Sequence, residues 1–148
     1  GEGLEPLVKL ILNTFNQLDI DATFFVQGEV ALEYPQLIEA VIEEGHEIAS
    51  HDMHHVSPRT RSIGQFVKDI IESKNILERI AKEKVVGYRA PNLELETMHI
   101  NKLNELGFSY DSSVYPCVYI PGHYGYMMAP MQPYHPPGCQ VRQPSLCP

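Results

Sequence analysis

Apolar and polar positions fall into short blocks along this chain, and the period of the pattern changes from block to block. Leu4, Leu7, Val8, Ile11, Phe15 and Leu18 recur at helical spacing and predict an amphipathic helix with this stripe turned inward, ended at residues 19–21. Ala22-Thr23-Phe24-Phe25-Val26 is a run of strand formers, followed by Gln27-Gly28. Pro35 suits the first turn of a second helix, where its missing N–H costs nothing. Leu37, Ile38, Val41 and Ile42 give that helix its buried stripe, and Gly45 fits the left-handed position just past its end. Residues 46–50 predict a second strand, and Ser57-Pro58 a turn. The longest helix runs over residues 62–82, with Ile63, Phe66, Val67, Ile70, Ile71, Leu77 and Ile80 inward and Lys82 and Lys84 near its negative end. Residues 85–88 predict a third strand, a helix of about ten residues ends at Gly107, and residues 108–110 predict a fourth strand.

Strands alternating with helices at this spacing imply an α/β fold with parallel pairing through right-handed crossovers. His51, His55, Arg89 and Asp111 then fall at one edge of one sheet, where the ligands of parallel α/β folds sit. Beyond Asp111 the pattern stops. Eight of the twelve prolines lie from Pro116 onward, and tyrosines and methionines are interleaved without a period of 2 or 3.6. Prolines this dense prevent a regular helix or central strand, so the stretch is expected to be an irregular loop or tail.

At 148 residues the chain is long enough for one domain with a core. A formal charge of −8, with no basic cluster, argues against a nucleic-acid surface. No apolar run approaches the length of a transmembrane helix, so no membrane span is expected. Cys117, Cys139 and Cys147 are odd in number and lack metal-type spacing.

The candidate chemistry gathers in Gly45-His46-Glu47-Ile48-Ala49-Ser50-His51-Asp52-Met53-His54-His55. If the segment after Ser50 turns helically, His51 and His55 share a face and can hold one ion; zinc suits such a pair. A catalytic zinc also needs a third protein ligand and an open position. Asp52 is a candidate for that third place, although adjacent residues rarely point to one ion. The bland alternative is a set of surface loop histidines. Arg89 and Asp111 have bland readings too, as the partner of a surface carboxylate and as a turn cap over Ser112-Ser113.

Taken together, these stretches resemble the polysaccharide deacetylases, also called carbohydrate esterase family 4 or the NodB-homology domain. Ala22-Thr23-Phe24-Phe25-Val26 resembles a barrel strand of that family, Ser50-His51 with His55 its H-[ST]-x-x-H metal motif, Arg89-Ala90-Pro91 its R-x-P motif, and Tyr110-Asp111-Ser112-Ser113 its fourth motif. The resemblance covers residues 4 to about 116. It implies that His51 and His55 are ligands of a divalent metal, most often zinc, that Arg89 orients a catalytic aspartate, and that Asp111 tunes a general-acid histidine. The implied reaction is hydrolysis of N-acetyl groups on an amino-sugar polymer such as chitin or peptidoglycan, so the implied partner is an N-acetylated polysaccharide or oligosaccharide.

The resemblance also has gaps. The family's aspartate pair is expected before Leu4 and its leucine–histidine motif after the tail, and Asp52 stands where Ser, Thr or Gly is usual. Residues 1–116 are therefore expected to form part of a distorted (β/α) barrel of the deacetylase type, and residues 117–148 an irregular tail or loop of the same domain. Four strands cannot close a barrel, and self-association through exposed sheet edges is a further expectation. The functional alternative is a catalytically inactive fragment or remnant that keeps the fold core, with or without sugar binding. A third is a related hydrolase acting on a small-molecule amide.

Overall fold

The computed structural model describes residues 3–114 together with 132 and 134. Four parallel strands form one sheet in chain order: β1 (Thr23–Val26), β2 (Glu47–Ser50), β3 (Gly87–Tyr88) and β4 (Tyr110–Asp111). Helix α1 (Leu4–Leu18) precedes the sheet, α2 (Gly28–Glu33) and α3 (Pro35–Glu43) join β1 to β2, α4 (Ile63–Ala81) joins β2 to β3, and α5 (Thr97–Glu105) leads into β4. Each parallel step needs such a crossover. Stepping always to the next neighbour, without reversal, is the progression of a barrel wall rather than of a doubly wound sheet. Part of a distorted (β/α) barrel is thus the observed architecture. Among the described residues, β1 and β4 each have one unpaired edge, and no helix is long and apolar enough to cross a membrane.

The register brings the strand ends level. Val26 lies opposite Ser50, Ser50 opposite Tyr88, and Tyr88 opposite Asp111. The ladder continues one residue further, with His51 N–H donating to the Val26 carbonyl (2.8 Å), Arg89 N–H to Ser50 (2.9 Å) and Ser112 N–H to Tyr88 (2.9 Å). One face of the sheet meets α3 and α4. Ile38, Val41, Ile48, Phe66, Ile70, Leu77, Val85 and Tyr88 form the centre of the core there.

Helix ends follow the chemistry of the sequence. Pro35 opens α3, and Gly45 just past it takes φ +85°. Ser62 caps α4 by accepting the Gln65 N–H. His46, just before β2, is buried against Phe24 and edge-on to Phe15.

Several expectations are corrected. In α1 the covered stripe is Val8, Leu12 and Phe15; Leu4, Leu7, Ile11 and Leu18 are exposed. The helix docks through one narrow face on α3, Phe24 and His46, so apolar residues on its other side find no cover among the described residues. Ile71 in α4 is likewise exposed, while Ile76 and the polar Asp69 and Ser73 turn inward. The third strand is only two residues long, and the fourth begins at Tyr110 rather than at residue 108. Tyr110 owes its position to Gly87, because its ring crosses β3 where a Cβ would stand. Its hydroxyl then donates to Glu47 Oε1 (2.9 Å). Burial and that carboxylate push the phenol up to about 12.

Helix α2 was not expected at all. It is six residues long, begins on a glycine, and shows too little period to be read. Gly28 is nevertheless required where it is. A Cβ there would meet Met53 Sδ and come within 3.1 Å of Ser73 Cα, which belongs to the backbone of α4. Gly28→Ala should therefore cost about 1–3 kcal/mol by overpacking, read as a lowered urea midpoint. Gly64→Ala, at an open position of α4, should be neutral or stabilising. Equal midpoints for the two variants would refute the packing argument.

Candidate functional site at the carboxyl edge of the sheet

The segment after β2 is not helical. Asp52 takes a left-handed conformation (φ 72°), which ends any helical path at once, and residues 53–55 form a bend. The condition on which His51 and His55 were expected to share a helix face is thus not met. The bend brings them together instead, with ring centroids 5.2 Å apart. His51 is partly buried and His55 exposed.

The His51 ring is oriented by β3. Its Nδ1 lies 2.7 Å from the Arg89 carbonyl oxygen, which can only accept, so Nδ1 carries the proton and Nε2 keeps its lone pair. Burial pushes this imidazole below its ordinary value, against the opposing pull of the Arg89 carbonyl, with His55 and Arg89 adding to the downward shift. A neutral ring with a fixed tautomer is what a cation requires of histidine.

Arg89 and Asp111 stand on the same edge. The Arg89 guanidinium lies over the Phe25 ring, 4.2 Å from its centroid. It donates to the Ser112 carbonyl (3.1 Å) and hydroxyl (2.6 Å). Asp111 accepts from the Ser113 N–H (3.0 Å) and hydroxyl (2.6 Å), while Ser113 Oγ accepts from Ala90 N–H (2.8 Å). Burial raises the Asp111 carboxyl, with the Ser113 bonds and Arg89 opposing. The two residues thus lock the ends of β3 and β4 to each other, and no aspartate meets Arg89 in a hydrogen bond among the described residues.

Asp52 is not the third ligand. Its side chain is fully buried and both oxygens are taken: Oδ1 by Met53 N–H (2.8 Å) and Arg61 Nη1 (3.1 Å), Oδ2 by Arg61 Nη2 (2.6 Å) and the Tyr88 hydroxyl (3.0 Å). No third His, Cys, Asp or Glu joins the histidine pair among the described residues. Arg61, Asp69 and Tyr88 were missed by sequence reasoning. Nothing in the spacing of Asp52, Arg61 and Asp69 signals that a fork of hydrogen bonds joins them. His54, outside the pair, is exposed and bonds Glu29 (2.7 Å). His99 is buried and helps to cap α5, its Nδ1 accepting the Glu96 N–H. Residues 117–148, with His123, His135 and the three cysteines, lie outside the described residues apart from Gln132 and Tyr134.

Comparison with known proteins identifies the family of the chain. The family model described as polysaccharide deacetylase matches residues 2–110. A Bacillus cereus peptidoglycan-N-acetylglucosamine deacetylase is 32% identical over 108 residues, covering 73% of this chain and 39% of that protein. Among solved structures, a peptidoglycan N-acetylglucosamine deacetylase superposes with a TM-score of 0.67 at 26% identity, covering 70% of this chain and 49% of the other. An allantoinase superposes with a TM-score of 0.61 at 28% identity, covering 71% and 34%. This chain spans less than half the length of each of these relatives. A match to the family model over residues 2–110, well over half of the chain, makes this chain a member of the polysaccharide deacetylase family.

Proposed function

We propose that this chain carries part of the catalytic edge of a metal-dependent deacetylase acting on an N-acetylated amino-sugar polymer of the peptidoglycan or chitin kind. The observation that carries the proposal is the His51 ring, whose Nδ1–H is committed to the Arg89 carbonyl while its Nε2 has no hydrogen-bond partner among the described residues and the ring lies beside His55. Two imidazoles in contact, one of them with a fixed tautomer, fit a divalent ion such as zinc. The remaining ligand is not among the described residues.

A divalent ion held there supplies Lewis acidity toward an acetamide carbonyl and acidifies water. The chain's own residues supply geometry. His51 and His55 would hold the cation, and Arg89 braces His51 through its carbonyl while its guanidinium fixes the Ser112 turn. To Asp111, raised by burial and bonded to Ser113, we assign the tuning of a general acid. The similarity to an allantoinase favours a second reading, hydrolysis of a small-molecule amide on the same edge.

Calorimetric titration with zinc tests the cation site on the 148-residue chain. We expect binding at micromolar or tighter zinc, weakened about 100-fold in His51→Ala. Equal binding in the two proteins would reject His51 as a ligand, and none in either would show that the histidine pair does not hold zinc without a further ligand. Acetate release from N-acetylated chitooligosaccharides, set against hydrolysis of a cyclic small-molecule amide, then separates the two substrate classes.

A further inference from the structure

We propose that Asp52 is a positioning residue: clamped by Arg61 and Tyr88, it holds His51 and His55 in ring contact without touching the cation they would bind. The consequence for cation affinity rests on the reading of His51 and His55 as ligands; the positioning itself does not.

Asp52 is committed through every polar group it has. Besides the four bonds to its carboxylate, its N–H donates to Ser50 Oγ (3.2 Å) and its carbonyl accepts Gly28 N–H (2.9 Å). The next carbonyl, Met53, accepts Glu29 N–H (3.1 Å). The left-handed bend of the loop is therefore fastened on three sides: to α2, to β3 and to Arg61.

Two of these ties act as a pair. Residues 51 and 52 are fastened to residues 89 and 88 of the neighbouring strand: the His51 ring to the Arg89 carbonyl, and the Asp52 carboxylate to the Tyr88 hydroxyl. The Arg61 fork then closes the loop that contains His55, and Arg61 is itself held by Asp69 on α4 (2.6 Å). Gln65 donates to the other Asp69 oxygen (2.7 Å). A bidentate guanidinium–carboxylate pair fixes direction as well as distance. A buried pair of this kind contributes little net stability compared with apolar residues of the same volume. What it supplies here is the path of the chain from His51 to His55.

The test uses the full chain and two readouts, one of which needs no metal. In the zinc-free protein, the nuclear Overhauser contact between the His51 and His55 ring protons reports their proximity. Zinc affinity by calorimetry reports the consequence. Asp52→Asn keeps the shape and removes the charge; we expect loss of the ring contact and zinc binding about 10- to 100-fold weaker. Tyr88→Phe removes one bond to Asp52 while leaving the ion pair, and should weaken the ring contact and zinc binding by a smaller factor in a chain that still folds. Asp69→Asn, which loosens Arg61 from α4 but not from Asp52, should lower the urea midpoint and leave ring contact and affinity unchanged.

Asp52→Asn and Tyr88→Phe proteins that keep the ring contact and the wild-type affinity would overturn the proposal. Affinity losses that track the urea midpoint equally in Asp69→Asn would overturn it too, making Asp52 an ordinary core residue. If wild-type protein binds no zinc, the histidine pair does not hold the ion by itself, and the zinc-free ring contact decides the positioning alone.

Discussion

Arg61→Met should cost the fold about 3–5 kcal/mol, since it leaves two buried carboxylates without their cation. Asp52 is fully buried and Asp69 nearly so, and both lean on one guanidinium whose own side chain is 9% exposed. Methionine has the reach of the arginine stem but neither compensates charge nor donates. Asp69 keeps only the Gln65 amide, and Asp52 keeps Tyr88 and the Met53 N–H. Native domains have about 5–15 kcal/mol in hand, so the loss is a large part of the total. Urea unfolding followed by circular dichroism reads it directly, as a drop in midpoint at unchanged slope. A loss below about 1 kcal/mol would show that water reaches the carboxylates once the arginine is gone. Replacing Asp52, Arg61 and Asp69 together by apolar residues should recover most of the loss, because no charge is then left buried alone. That recovery would separate the cost of breaking the cluster from the modest stability of having it.

How much of this was legible in the sequence divides along the same line. Periodicity showed where α1, α3 and α4 run, because each needs a covered stripe and the stripe repeats every 3.6 residues. The parallel pairing of the strands, and the placing of His51, Arg89 and Asp111 at one sheet edge, followed from strands alternating with helices, whereas the strand order is read from the structure. Periodicity is blind to what covers a stripe, however. It assigned Leu4, Leu7 and Ile11 to the core when only Leu12 and its neighbours on α1 are covered. It also cannot foresee a left-handed aspartate. His51 and His55 were paired on the assumption of a helical turn, and they meet through a bend that Asp52 makes. The clamp of Arg61, Tyr88 and Asp69 joins residues far apart in the chain, and each alone reads as a solvated charge or a strand aromatic. Only the packed structure brings them together.

Phe66→Ala is the core substitution with the largest expected effect, about 3–5 kcal/mol from lost burial and the cavity left behind. Here sequence and structure agree, since Phe66 lies on the inward stripe of α4 and is fully buried. Its ring meets Tyr88 edge-on at 6.2 Å and His99 at 4.9 Å, and the Arg61 guanidinium lies 5.7 Å from its centroid. It is therefore the apolar floor beneath the charged clamp. Truncation opens a space bounded by Tyr88 and Arg61, the two groups that hold Asp52. Phe66→Leu, which refills much of that volume, should recover most of the loss, because the term that scales with cavity size then shrinks. The two variants are compared by urea midpoint and by the zinc-free contact between the His51 and His55 rings. If Phe66→Ala loses stability while the ring contact persists, the hydrogen bonds of the clamp hold the loop without their floor. If both fall together and return together in Phe66→Leu, the packing of α4 on the sheet and the geometry of the histidine pair are one cooperative unit.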